Sequence, residues 1–551
     1  MASFRSRMAS FHTGSRLAPL ALSAALLVGL APAPALFAQA PTTGRKVLAV
    51  VAIDSYGDLK QQLTWLGPHV DNQGLAGSIE SVLLLATQGK GLNGLDVKRP
   101  LGVFVTTQGG DLGIHAIVPV KDLDKLLGSL QAATGPVEND GGTRRITLPS
   151  GQELEIVEKD GWAIVGQRGQ VFDVADPAAV LGALVKDYTL ALETHPADMP
   201  ESIRALLSAG IQQMAGAAAA QGRKVDARAL QSALQGLGDV ETLSLAMAMD
   251  PAQNTVFLEN KVVARRGPAA PASSTPLTVA TAATQDGGLH AVKAHAVQPL
   301  SKDQARQLLA LLEGAMPQGD ETARNVSTVV RGLVEAMADA GGLDAALTVD
   351  TSSTGNLPVI TAGAHVADGA KLERQVQELF SSSKMPREAK AKFNSGKVGK
   401  ANLHTVTIDV SATPASGILG PSVELTLAVT PDYAFLLHGG DVKARLEKLL
   451  STNGAPNTAV ADDDIPGAGI SLALDRILAY AASMGLPQAE GAAKLAGSLT
   501  EKDADSGSVS VTTKPVDGGV VTRITAGAGA LKAAAEMSRQ QQGGGRPAGG
   551  R

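Results

Sequence analysis

The residues of this chain that could do chemistry are scattered, and their spacing decides what each set can do. Eight histidines follow residue 40, and none pairs as H-x-x-x-H or H-E-x-x-H, the spacing that aims two imidazoles at one zinc ion. His290 and His295 are five residues apart on an expected strand, so they face opposite sides. His115, His365 and His438 fall on expected strands and read as satisfied core or edge residues. Asp503, Asp505 and Gly507 mimic the start of a calcium loop, but Lys514 stands at the twelfth position, where a carboxylate is required. Asp462-Asp463-Asp464 reads as a solvated loop before Ile465-Pro466. Gly89-Lys-Gly91-Leu-Asn-Gly94 fits G-x-G-x-x-G, yet a helix precedes it and a strand follows, the reverse of a dinucleotide site. Ser381 to Lys384 fits S-x-x-K without an S-x-N or K-T-G partner, and no G-x-S-x-G occurs. The chain has no cysteine, which excludes thiol nucleophiles and thiolate metal sites. No catalytic, cofactor-binding or metal set emerges, and no cofactor is expected.

Composition narrows the partners. The net charge of the 551 residues is -5; without Arg5, Arg7 and Arg16 of the first 40 residues, 45 basic side chains face 53 acidic ones, or -8. No basic field for nucleic acid results. Aromatic residues make up 3%, too few for stacking platforms on sugars or single strands.

The elements that would hold any site are written twice. Gly94-Leu95-Asp96 leads into the strand Leu101 to Val105, a second strand Ile114 to Val120, a helix Leu123 to Leu130, and a hairpin Leu154–Val157 to Trp162–Gly166. The plan returns at Gly342-Leu343-Asp344. There it reads Ala345 to Val349, Val359 to Val366, a helix Leu372 to Phe380, and a hairpin Val423–Leu427 to Tyr433–Leu437. Around these centres the pattern predicts a strand at Val47–Ile53 and helices after Ser55 and at Ser78–Thr87, Pro177–Val185 and Ile203–Ala219. The first unit closes on the hairpin Leu243–Met249 with Thr255–Ala264. The second half predicts a strand at Leu289–Val297 entered from a turn at Asp286 to Gly288. Helices follow Ser301, with Gln304 completing a capping box, and at Val326–Met337, Val442–Leu450 and Ile470–Ala482. The strands Ser508–Thr512 and Gly519–Thr525 finish it. Side-chain alternation predicts that Trp162 shares a buried face with Ile164, and Tyr433 with Phe435.

Adjacent strands interspersed with helix pairs favour α+β with mainly antiparallel sheet. The expected map is a signal peptide at 1–40, a first unit at 45–265, a Pro/Ala/Ser linker at 266–276, a second similar unit at 277–533, and a disordered Gly-rich tail at 538–551. Basic Arg5 to Arg16, apolar Leu17 to Leu30 and small residues at 33–40 give the signal its layout, with cleavage within 35–40 or retention as an anchor. Export to the periplasm or beyond follows, and membrane contact only through that segment if it is kept.

The Gly-Leu-Asp turn feeding Arg99-Pro-Leu-Gly-Val-Phe-Val105, with the later Asp-Gly-Trp-Ala hairpin, resembles exported bacterial proteins of planctomycete type built from a duplicated α+β unit. That resemblance implies no catalytic residues. Unit two departs from it, with nothing equivalent to Lys98-Arg99-Pro100 near Ala345. The expectation is a non-enzymatic interaction or structural protein of the cell envelope, its partner an envelope protein. The alternative is a carrier for an apolar ligand such as a lipid.

Overall fold

The computed structural model describes residues 45–543 except 109–110, 149, 170–173, 175, 221–235, 266–289, 316–320, 352–356, 382–388, 413–415, 417–419, 453–466, 484–490, 492–494, 496 and 498–506. The expected signal segment, the linker 266–276 and the turn at Asp286 lie outside the described residues. The described chain is mixed α and β, with largely antiparallel strand pairing and eleven α-helices, and it divides into two compact units.

In the first unit, β1 (Lys46–Ile53) leads into helices α1 (Tyr56–His69) and α2 (Leu75–Ala86), then β2 (Leu101–Gln108) and β3 (Asp111–Pro119). After α3 (Leu123–Thr134) come four strands, β4 (Val137–Asp140), β5 (Thr143–Thr147), β6 (Glu153–Lys159) and β7 (Trp162–Gln167). Helix α4 (Pro177–Val185), β8 (Leu190–Thr194), α5 (Glu201–Ala220), β9 (Val240–Asp250) and β10 (Thr255–Ala264) follow. Pairing sets the order β4-β5-β6-β7-β3-β2-β1-β8-β9-β10. Local chemistry starts the helices as the sequence requires. Ser55 caps α1 by accepting from the Asp58 N–H, and Asp122 and Asp176 cap α3 and α4 in the same way. Gly94, at φ +95°, turns the chain so close to α3 that a Cβ would lie 2.2 Å from the Asp122 carbonyl oxygen.

In the second unit, β11 (Val292–Pro299), α6 (Lys302–Ala315), α7 (Glu321–Asp339), β12 (Gly342–Asp350), β13 (Val359–His365) and α8 (Gly369–Ser381) precede four strands. These are β14 (Ala389–Val398), β15 (Ala401–Asp409), β16 (Ser422–Val429) and β17 (Tyr433–His438). Helix α9 (Val442–Thr452), β18 (Ala468–Ala473), α10 (Leu474–Ser483) and β19 (Ser508–Val516) come next; the chain then passes through β20 (Gly519–Gly527), most of which belongs to the first unit, into α11 (Ala528–Gly543). The order is β14-β15-β16-β17-β13-β12-β11-β18-β19, the same sequence of connections as in the first unit. The capping box forms: Ser301 N–H donates to Gln304 Oε1 at 2.9 Å, and Gln304 N–H to Ser301 Oγ at 3.3 Å.

The registers run in step. Trp162 lies opposite Pro119, and Ile164 opposite Ile117, which lies opposite Gly102. Tyr433 lies opposite His365, and Phe435 opposite Gly363, which lies opposite Ala346. Trp162 and Ile164 are buried with Leu181 and Val185 of α4; Phe435 is buried with Leu446 and Leu449 of α9, with Tyr433 packed alongside.

Several elements differ from the sequence reading. Residues 515–524, most of β20, group with the first unit, where β20 pairs with β10, so that unit is not one continuous stretch. The expected helix Ile470–Ala482 begins as strand β18 and turns helical only at Leu474, because Gly469 to Ala473 is an alternating segment that pairs with β11. The hairpins β4–β5 and β14–β15 and the strand β8 were not expected. The charged residues of β4, β5 and β14 mask the alternation, β8 is only five residues long, and backbone pairing to neighbours holds them. Residues 538–543, assigned to the tail, continue α11, since Ala-rich sequence favours helix through Gly543.

Candidate functional site

Among the described residues, three side-chain clusters and two apolar surfaces are the candidates. The first cluster joins β2 and β3. Thr106 Oγ1 lies 3.0 Å from His115 Nε2, and both side chains are fully buried. A hydroxyl and an imidazole at that distance suit a nucleophile and its base. Burial denies them a substrate, and it holds the imidazole down to about 4, with Arg45 adding repulsion. Gly113 leaves the room this cluster needs, since a Cβ there would meet Arg45, His115 and Thr106 within 2.9 Å. The arrangement is a neutral, buried polar pair.

The second cluster was invisible to sequence spacing. His404 on β15 is 1% exposed, with Nε2 3.2 Å from Glu373 Oε1 of α8, while the Asn394 N–H donates to Nδ1 at 3.2 Å. Gln377 and Asn402 amides also donate to that carboxylate. The residues come from a helix and two strands. Only a known helix-on-sheet packing could have brought them together on paper.

The third cluster borders a shallow, open cleft of about 360 Å³ at the ends of β8, β9 and β10 in the first unit. The Tyr188 hydroxyl donates to Glu259 Oε1, and Arg523 of β20 holds Glu259 Oε2 at 2.6 Å while covering the Phe257 ring at 4.2 Å. Burial first, then the Glu259 bond, pushes the Tyr188 hydroxyl well above its ordinary value, so no phenolate is available as a base. Thr189 donates to Gln62 and accepts from the Met249 N–H. Asp54, Lys186, Asp187 and Asp250 line the cleft together with Val185, Ala248, Met249 and Phe257, a mixed lining whose charges disfavour a wholly apolar ligand. Burial and the nearby Asp58 raise the Asp54 carboxyl.

The other residues singled out above occupy structural places. Gly89, Gly91 and Gly94 all adopt positive φ as the chain leaves α2 and turns toward β2, with no helix after them. His365 packs against the Tyr433 ring, and His438 Nδ1 lies 2.7 Å from the Glu424 carbonyl oxygen. His290 precedes β11 rather than sharing it with His295. Arg99 stacks on Trp162 at 4.1 Å and donates to the Gly161 carbonyl. Ser381 ends α8, while Lys384, Asp462 to Asp464 and Asp503 to Asp505 lie outside the described residues. Among the described residues no three His, Asp or Glu side chains converge to hold a metal ion, and no helix is long and apolar enough to cross a membrane.

The apolar surfaces are more distinctive. Residues opposite one another across strands share a face. In the first unit one face, with Val50, Ala52, Phe104 and Ile117, is sealed by α4. The alternate rung Ala116, Val103, Val51, Leu192, Leu245 looks the other way, and on that face Ile114, Leu245 and Leu258 are exposed. Helix α2 adds a second surface. None of its residues is buried, and Ile79, Val82, Leu84 and Leu85 are exposed, Leu85 at 82%. Its single charge, Glu80, is paired with Lys60 of α1 at 2.5 Å.

No family model, curated protein or solved structure matches the chain.

Proposed function

We propose that this chain is an exported, non-enzymatic interaction or structural protein of the bacterial envelope, built from an internally duplicated α+β unit. The observation that carries the reading is the exposed aliphatic surface of α2. Four large apolar side chains on one neutralised helix are the mark of a docking surface rather than of a solvated face. The repeated element order and the parallel registers support the duplication, and the basic-then-apolar layout of residues 5–30 supports export. The burial of Thr106 and His115 and the raised Tyr188 hydroxyl support the non-enzymatic part of the reading.

The test has two parts. Screens for esterase, phosphatase, peptidase and glycosidase turnover are expected to read background; robust turnover lost with one polar substitution overturns the proposal. Val82→Glu with Leu85→Glu is expected to abolish cross-linking to envelope components while circular dichroism is unchanged; unchanged cross-linking removes α2 from the account.

A second reading, carriage of an apolar ligand, is favoured by the half-open aliphatic face around Leu245 and Leu258. Lipid that co-purifies and survives into native mass spectrometry would establish it. The charges lining the cleft weigh against it.

A further inference from the structure

The two units end in edge strands of opposite charge. Strand β4 pairs only with β5, and β14 only with β15, among the described strands. Glu138 and Asp140 are exposed on one face of β4, and Lys390 and Lys392 on one face of β14. Charged edges ordinarily keep sheets from joining, and each of these repels its own kind. Opposite signs at the two edges leave one combination attractive. We infer that β4 of one copy pairs antiparallel with β14 of a second copy, with Glu138 opposite Lys392 and Asp140 opposite Lys390.

The backbone fits that register. Antiparallel residues alternate between bonding their partner strand and pointing outward. Asp140 and Thr143 close a two-residue turn through Gly141 and Gly142, both at positive φ, so they form a bonded pair. The Asn139 N–H and C=O therefore face the open edge. On β15, Ala401 closes a two-residue turn with Val398, so Ala401, Leu403 and Thr405 bond toward β14; Lys392, opposite Thr405, bonds inward and Ala391 outward. In the proposed register Asn139 meets Ala391 as the bonded pair. Glu138–Lys392 and Asp140–Lys390 become non-bonded pairs, in which side chains approach most closely.

Length fits as well. Four residues of β4 match the regular stretch Ala389–Lys392, which a register shift ends before Gly396. Within its own unit Asp140 also meets Arg145 at 2.8 Å, so Glu138 carries more of the attraction. Joining two different edges is a heterologous contact, which yields rings or open chains rather than an isologous dimer. The contact is small and salt-sensitive, and it does not involve α2.

The chain's lack of cysteine makes the test direct. Full-length Asn139→Cys and Ala391→Cys proteins, which keep both charge pairs, mixed under mild oxidation at low salt, are expected to give the mixed disulfide at least tenfold over either like-with-like product. At about 1 M salt, where the screening length is about 3 Å, that excess is expected to vanish. Sedimentation of the cysteine-free chain should show concentration-dependent oligomers. Lys390→Glu with Lys392→Glu is expected to abolish them, and adding Glu138→Lys with Asp140→Lys to restore them. A statistical mixture of disulfides, or a reversed-charge variant that fails to recover association, overturns the inference.

Discussion

Helix pairs α1–α2 and α6–α7 occupy the same place in the element order of their units, and they behave differently. In the second unit, α7 sends Val334, Ala336, Met337 and Ala338 into a core that Ala305 and Leu309 of α6 complete. The corresponding core of the first unit draws on α3, β5, β6 and β7, takes only Tyr56 from α1, and takes nothing from α2. The sequences explain the contrast. Along α7, Val330, Leu333, Val334 and Met337 form one stripe, with Arg331, Glu335 and Asp339 opposite. Along α2, Ile79, Val82, Leu83, Leu84 and Leu85 run around the helix with one charge among them. A helix without a polar face cannot bury its apolar residues on one side alone. The helix that the fold does not use for its core is the one the proposed docking surface rests on.

The sharpest way to break this comparison is in the cores themselves. Trp162→Ala should destabilise the first unit by about 3–5 kcal/mol, and Phe435→Ala the second by a similar amount. Both tryptophans, Trp65 and Trp162, lie in the first unit, so the tryptophan-fluorescence transition in urea should stay in place for Phe435→Ala. A shift of that transition equal to the far-ultraviolet one would mean the units unfold as one body.

The helices give the next largest contrast. Met337→Asp buries a charge and should cost several kcal/mol, whereas Val82→Asp should change stability by no more than about 0.5 kcal/mol. Equal costs at the two positions would erase the distinction between α2 and α7.

A pH titration sharpens the account of the first unit. His115 is held near 4 in the folded chain against an ordinary value near 6.5, so the unfolded chain binds more protons between those values. Stability should be full above about pH 6.5 and fall as pH drops toward 4, by roughly 2–3 kcal/mol. His115→Asn should flatten that slope in tryptophan-detected melts. A slope that survives places the acid sensitivity elsewhere.

Arg523→Ala tests the smallest effect. It removes the charged partner of Glu259, keeps the bond from the Tyr188 hydroxyl and bares the Phe257 ring, and should cost about 1–2 kcal/mol, discounted because the arginine is partly exposed. The loss should appear in the first unit, although residue 523 lies far along the chain.

Much of this was legible in the sequence, for a physical reason. The alternation of Leu101 to Val105, Trp162 to Gly166 and Tyr433 to Leu437 fixes which side is buried, since a one-residue slip would turn the whole set to solvent. The observed registers agree. Caps at Ser55 and Ser301 are local and were equally readable. The strands β4 and β14 were not, because Val-Glu-Asn-Asp and Ala-Lys-Ala-Lys carry almost no apolar signal and exist through their neighbours. The return of β20 to the first unit rests on Arg523, Glu259 and Gly519, contacts separated by some 260 residues. His404 and Glu373 meet only after α8 has packed on the sheet, so no spacing rule could pair them. The exposure of α2 was hidden for the same cause, because an apolar helix reads as core until its packing is known.

The most direct measurement places single thiols in this cysteine-free chain at Val82, with Val82→Cys, and at Met337, with Met337→Cys as the buried reference. Each is labelled with a membrane-permeant maleimide, first in the purified protein and then in intact envelope. The account predicts rapid labelling at position 82 in the purified chain, strong protection there in the envelope, and negligible labelling at position 337 in both. Position 82 labelling equally fast in the two settings would contradict the claim that α2 is a docking surface.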